Sequence, residues 1–288
     1  MLALDIGGTK MVAARVTVAG RILDRESAPT VAAGDPDQLF AQVTGLLDRF
    51  APFGQFMGLG VGCGGPMDHG GRHVSPLTLP AWRRFPLLER LRSHCDLPTA
   101  VDHDAKALAL AEGWIGSATG IENYLAMMVS TGVTGGIVLN GRLLEGADGN
   151  VGQIGHVFVC PDVVTDDDSY VPGLLDAEAS GTAIARRIGL PAVNASTAEI
   201  RHAGLLVGRA VGSVANLLDL RLALVAGSVA LGYGEPFFSS AQAEIDRLCT
   251  LEHSHGTRIQ PAGLGVEGPL VGAAAVGLRF LKRLPRAF

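Results

Sequence analysis

The sequence predicts an α/β protein built as two lobes around one cleft, on three grounds. Residues 2–6, 11–17 and 21–27 read as three short strands in succession, a β-meander opening the first lobe. From residue 36 onward strands alternate with helical patterns, which suits a mixed sheet flanked by helices. A second strand-rich block beginning near Tyr124 repeats the opening arrangement of strand, glycine-rich turn and strand. With 288 residues, 48% of them hydrophobic, the chain has apolar material for two compact bodies rather than one.

Taken in order, LALDI and MVAARVT are joined by Gly7-Gly8-Thr9-Lys10, and Ala19-Gly20 turns the chain into a third strand, RILDRES. Residues 36–50 place Leu39, Phe40, Val43, Leu46 and Leu47 at helical spacing, with Asp35 or Pro36 at the start. The apolar run 56–62 reads as a buried strand ending in Cys63-Gly64-Gly65-Pro66, and residues 84–93 as an amphipathic helix before the strand TAVDHD. A helix over 105–115 leads out of the first lobe, which spans 1–115, and Gly116 to Gly120 marks a hinge. The second lobe, 116–267, opens with two strands around the turn Ser130 to Gly136, with a hairpin signal at Asn140-Gly141. A loop-rich stretch over 157–173, helices over 176–188 and 197–218, the strand LALVAGSV and a helix near 235–250 follow. The small-residue helix over 268–285 is expected to pack back on the first lobe.

The formal charge of −5 is spread over both signs without a basic run, which argues against nucleic-acid binding. No signal sequence or membrane-spanning run is read, so a cytoplasmic protein is expected. Cys63, Cys95, Cys160 and Cys249 form no CxxC pair, and their spacing encodes neither a disulfide framework nor a zinc site.

Chemistry is concentrated at strand ends. Asp5 precedes Gly7-Gly8, a turn without side chains whose N–H groups can approach phosphate oxygens, and an acid there can hold hydrated magnesium. Ser130-Thr131-Gly132-Val133-Thr134-Gly135-Gly136 has the same construction and can clasp phosphates from the other side. Neither turn is a GxxxxGK[ST] phosphate loop. In VDHDAKA a strand ends where a helix begins, at the edge of the expected cleft; Asp104 is the general-base candidate there and Asp102 the structural residue.

These segments carry a family resemblance. LALDIGGTK resembles the first phosphate motif of ROK kinases, and STGVTGGIVLNGRLLEGADGNVGQIGH is similar to their second phosphate motif running into their sugar signature. GVGCGGPMD is similar to the family's sugar-side loop, VDHDAKA to the segment bearing its catalytic aspartate, LLDAEASGTAIARR to the helix after its zinc loop, and LALVAGSVA to its adenosine-side strand and turn. The resemblance implies a ribonuclease-H-like (actin-like ATPase) fold, ATP and magnesium, phosphorylation of a hexose at its 6-hydroxyl, and a homodimer. It assigns catalysis to Asp104, and phosphate or magnesium contacts to Asp5, Gly7, Gly8, Thr9, Lys10, Thr131, Gly132 and Gly135, with Asp5 holding magnesium through water. Gly227 and Ser228 fall on the adenosine side, and Gly65, His103, Asp104, Gln153, His156 and Asp176 on the sugar.

The chain departs from the family pattern at several points. The family usually has Asn at the position of His103, Glu at that of Gln153 and Glu at that of Asp176, three sugar positions, so a modified hexose is expected to be preferred to glucose. The cysteines of the family's zinc loop are mostly missing after Cys160, so no zinc is expected, and Asp162, Asp166, Asp167 and Asp168 lack the spacing of an EF-hand. The alternative reading is a non-catalytic sugar-sensing or regulatory ROK protein. Such repressors carry an added helix-turn-helix domain, for which a chain opening on the first phosphate motif leaves no room, and keeping Asp5, both turns and Asp104 argues for chemistry.

Overall fold

The structure, a computed structural model, describes residues 1–31, 34–160 and 171–284. The first half runs β1 (Leu2–Ile6), β2 (Lys10–Val16), β3 (Ile22–Pro29), α1 (Pro36–Leu47), β4 (Leu59–Cys63), α2 (Leu87–Cys95), β5 (Thr99–His103) and α3 (Asp104–Ile115). The second runs β6 (Tyr124–Val129), β7 (Val133–Leu139), β8 (Arg142–Leu143), α4 (Leu175–Ala179), α5 (Gly181–Ile188), α6 (Thr197–Leu218), β9 (Leu222–Ala226), α7 (Ser228–Tyr233), α8 (Glu235–Leu248), β10 (Arg258–Pro261) and α9 (Gly268–Phe280).

Each half builds a five-stranded sheet, in the orders β3-β2-β1-β4-β5 and β8-β7-β6-β9-β10. The two are the same design. A central strand pairs antiparallel with the next strand on one side and parallel with a later strand on the other, and β4–β5 and β9–β10 extend the parallel edge.

Side-chain alternation decides which face each residue serves. Leu2, Leu4 and Ile6 pack outward in one core with α1 and α2, while Ala3 packs inward in another with α3 and α9. Asp5 shares the inward parity of Ala3, so alternation alone aims a carboxylate at the space between the sheets. In β6, Leu125, Met127 and Val129 face the core formed with α6 and α8, and Tyr124 and Ala126 face inward. Burying each such Leu or Val contributes about 1.5–3 kcal/mol.

The inner layer is α3 and α9, admitted by missing side chains. A Cβ on Gly136 of β7 would stand 2.5 Å from the Ala105 carbonyl oxygen, and one on Gly60 of β4 would stand 2.0 Å from that of Ala273. Helix α9 thus lies on the first sheet although its sequence follows the second. The chain passes between the halves after α3 and again before α9, and buried Glu112 joins the two passages. Its carboxylate accepts from the N–H groups of Ser117 (2.8 Å), Gly263 (3.1 Å) and Leu264 (2.9 Å). Hydrogen bonds to a charged acceptor contribute about 1.5–3 kcal/mol each.

Local signals set several boundaries. Asp35 caps α1 by accepting from Asp37 N–H at 2.9 Å, with Pro36 in the first turn, and Ser196 caps α6 by accepting from Glu199 N–H at 3.3 Å. One expectation needs correction, and two elements go beyond what the sequence patterns predict. The helix expected over 176–188 is two helices, broken where Ser180 caps α5 through Ala183 N–H. Helix α7 and strand β10 were not anticipated: α7 is six residues, ended by Gly234, and β10 is four residues that exist by pairing with β9. Among the described residues no helix is long and apolar enough to cross a membrane.

Candidate active site

The first turn is held at its back. Gly7 N–H donates to the Lys10 carbonyl at 3.0 Å, Thr30 Oγ1 donates to the Gly7 carbonyl at 2.9 Å, and Thr30 N–H donates to that of Thr9 at 3.0 Å. A Cβ on Gly8 would lie 2.6 Å from Thr78 Cβ, so the turn also rests against the loop that follows β4.

Asp104 stands in the first turn of α3, where its Oδ1 accepts from Ala105 N–H at 2.7 Å and from Thr134 Oγ1 of the second glycine turn at 3.3 Å. Asp5 reaches the same place from β1. Its β4 neighbour is Gly62, whose absent Cβ would lie 3.5 Å from Asp5 Oδ1 and 3.6 Å from Asp104 Cα. Burial, reinforced by the negative charge of Asp104 and opposed by Lys10, raises the Asp5 carboxyl from 3.8 to about 7. Buried Cys63 is pushed up by the same burial and by both carboxylates. A position this short of positive charge fits a divalent cation held with a phosphate chain.

The second turn is backed by α5 and α7. Gly181 N–H donates to the Ser130 carbonyl at 2.8 Å, and Thr182 Oγ1 donates to that of Thr131 at 3.0 Å. Gly227, at φ 102°, lies against the end of β6, where a Cβ would meet the Val129 carbonyl oxygen at 2.3 Å. Ser228 then brings its Oγ to 3.2 Å from Ser130 Oγ, so the adenosine-side pair adjoins the second turn. Turns so bare that a side chain would collide with the backbone or a neighbour fit a polyphosphate approaching N–H groups.

The sugar-side residues divide into two groups. Gln153 caps, and exposed His156 ends, one turn of 3₁₀-helix, Ile154–His156, seated on β7 through Gly155, whose Cβ would be 2.3 Å from the Val133 carbonyl oxygen. Asp176 joins them through the phosphate turn, for its Oδ1 accepts from Val133 N–H at 2.6 Å and lies against Gly132. Burial raises its pKa, against the pull of the Val133 bond and of His156. Across the cleft, Gly65 and buried His103 are in direct contact, and a Cβ on Gly65 would be 1.6 Å from the ring's Cε1.

Sequence reasoning missed the residues joining these groups. Asn150 reaches from the signature loop to His103 and to Met67. Lys106, 1% exposed, binds Asp102 at 2.8 Å, Glu145 at 2.5 Å and the Gly149 carbonyl at 3.2 Å; Arg279 of α9 completes Glu145 at 2.7 Å. Lys106 and Arg279 together hold the Glu145 carboxyl below its usual range against the burial that raises it. A lysine inside the apolar pattern of α3 was the available signal, since such a charge needs partners. The acidic run at 162–168 lies outside the described residues, as do residues 161–170 of the loop on which the zinc expectation rests; among the described residues no cluster of three His, Cys, Asp or Glu could hold a metal.

Two halves of one strand order, enclosing a helical layer and each presenting a glycine turn to a shared carboxylate pair, define an actin-like ATPase fold. The chain belongs to the ROK family, whose family model matches residues 1–279. It is 31% identical over 289 residues to the N-acetylmannosamine kinase of Pasteurella multocida, covering 95% of this chain and 94% of that protein. It is 34% identical over 188 residues to a glucokinase of Halalkalibacterium halodurans, a match spanning 64% of this chain and 57% of that protein. In structure it resembles a ROK family glucokinase from Streptomyces griseus in complex with glucose and AMPPNP, with a TM-score of 0.82 and 24% identity over 95% of this chain and 97% of that one. A ROK hexokinase from Thermus thermophilus gives a TM-score of 0.80 and 27% identity over 98% and 99%. A ROK family transcriptional regulator gives a TM-score of 0.81 and 21% identity over 99% of this chain and 79% of that one.

Proposed function

We propose that the chain is a hexose kinase that transfers the γ-phosphoryl group of ATP to the 6-hydroxyl of a hexose. The observation that carries the reading is the meeting of Asp104, Thr134 and Asp5, one carboxylate from β1, one from the first turn of α3 and a hydroxyl from the second lobe's turn. Asp104 accepts the proton of O6 as O6 bonds to the γ-phosphorus and the bond from that phosphorus to the β-phosphate bridging oxygen breaks, releasing ADP. The turns at 7–10 and 130–136 hold the phosphates, Gly227 and Ser228 border the nucleoside, and Gly65, His103, Gln153, His156 and Asp176 surround the sugar. Asp5 would hold a magnesium ion through water, and the ion would supply charge neutralisation on the phosphates.

The regulatory reading is kept alive by the likeness to a transcriptional regulator, because the fold is common to both. Kinase relatives and the base geometry at Asp104 support the enzyme. The substitutions at 103, 153 and 176 support an amino-deoxy or epimeric hexose over glucose, and the N-acetylmannosamine kinase relative makes an N-acetylated sugar one arm of the test. Coupled ADP release is measured with Mg-ATP across glucose, mannose, N-acetylmannosamine and amino-deoxy hexoses. At least one is expected to give saturable turnover and to exceed glucose in kcat/KM. Binding without turnover across the whole panel would establish the sensor instead; sedimentation tests the homodimer.

A further inference from the structure

The orientation of the Asn150 amide follows from a single residue. Met67, in the loop after β4, offers its N–H to Asn150 Oδ1 at 3.0 Å and its carbonyl to Asn150 Nδ2 at 2.8 Å. Exchanging the oxygen and nitrogen would set donor against donor and acceptor against acceptor, so the amide has one allowed orientation. The second hydrogen of Nδ2 goes to the Asp148 carbonyl at 3.2 Å. Oδ1, an acceptor only, also lies 2.8 Å from His103 Nε2, which must therefore carry a hydrogen. In the neutral ring Nδ1 is then the acceptor.

The same amide ties the lobes together. Residues 145–150 leave β8 and lean on the first half: Glu145 and the Gly149 carbonyl on Lys106, Asn150 on Met67 and His103. They return at Gly152, whose carbonyl accepts from Gly135 N–H at 2.7 Å. The loop that carries Gly65 against the ring is therefore fixed by a residue three positions before Gln153.

We propose that Asn150 is a positioning residue of the sugar pocket. It fixes His103 as the Nε2–H tautomer and holds Gly65 against the ring, so that Nδ1 serves as the acceptor for a hydroxyl or amino group of the acceptor hexose. The inference rests on the hexose-kinase reading and adds to it the polarity of one contact: a donor on the sugar is required, and an acceptor alone is rejected.

The test has a spectroscopic and a kinetic arm. Long-range proton–nitrogen spectra of the full chain with labelled histidine, the His103 ring identified by its loss in His103→Asn, are expected to show the proton on Nε2 without any sugar. In Asn150→Ala the tautomers should mix, and the hexose KM should rise about tenfold while kcat and the ATP KM stay within about twofold, the amount one lost neutral hydrogen bond sets. In the His103→Asn background, Asn150→Ala should add less than it does alone, because part of its effect acts through the ring. A wild-type ring protonated on Nδ1 overturns the proposal, as do additive effects or a loss spread equally over kcat and both KM values. Should Asn150→Ala not fold, the wild-type spectrum still decides the tautomer. Wild-type protein that turns over no hexose refutes the kinase reading, and the spectrum then judges the positioning claim by itself.

Discussion

The two sheets share a strand order, yet equivalent positions carry different chemistry. The last pair of the first hairpin is Ile6 and Met11 and that of the second is Val129 and Val133, so Asp5 and Met128 each stand one residue before the last pair of their hairpin. Their parallel neighbours are Gly62 and Ala226. A carboxylate beside a glycine has room to meet Asp104, whereas Met128 joins the apolar layer with α3 and α9. The helix after β5 opens on Asp104, while α9, its counterpart after β10, opens on glycine and proline. The duplicated frame therefore brings two phosphate-sized turns together, and the first half supplies the Asp5–Asp104 carboxylate pair while the second meets it with backbone and the Thr134 hydroxyl.

The largest expected effect of breaking this asymmetry is at Asp104. Asp104→Asn keeps the shape but removes the proton acceptor, and kcat should fall by about 10²–10⁴ while the protein stays folded. Steady-state rates within about threefold of wild type would move the base elsewhere. The backbone role of the second half is probed by Gly227→Ala, which puts a Cβ into the Val129 carbonyl at a φ of 102°. A strain of about 1–3 kcal/mol is expected there, with a rise in the KM for ATP of roughly tenfold and little change in that for the sugar. An equal rise in both would place Gly227 in general support of the fold rather than on the nucleotide side.

The smallest effect concerns the charge on Asp5. Its folded value of about 7, against 3.8, means that folding takes up a proton between those values. The stability this confers is present below about pH 4 and is lost as pH rises through 7. Asp5→Asn stays neutral throughout. Without ligands it should melt with wild type near pH 4 and about 4 °C or more above it at pH 8. A difference that does not change with pH would mean that burial and the Asp104 charge do not raise the Asp5 carboxyl in the ligand-free protein. With the Gln153→Glu, Asp176→Glu double variant, the substrate preference should move toward glucose; an unchanged ranking would assign specificity to His103 and Asn150.

What the sequence by itself determined is local. Helix α6 spans the expected 197–218 because a serine cap precedes it and a 3.6-residue apolar period runs through it, and both glycine turns sit between strands whose alternation is legible without partners. The doubled strand, turn and strand pattern was enough for the fold class. Tertiary structure decided whatever depended on distant atoms. Ser180 breaks a helical pattern because Gly181 must lie on Ser130, and β10 is a strand only beside β9. The bond that Asp176 Oδ1 accepts from Val133 N–H, 43 residues away, is set by folding alone. Asn150 showed nothing in sequence that set it apart from a loop asparagine. Its partners lie 83 and 47 residues away, and a side-chain amide acquires a direction only when folding brings it to groups that accept one orientation and refuse the other.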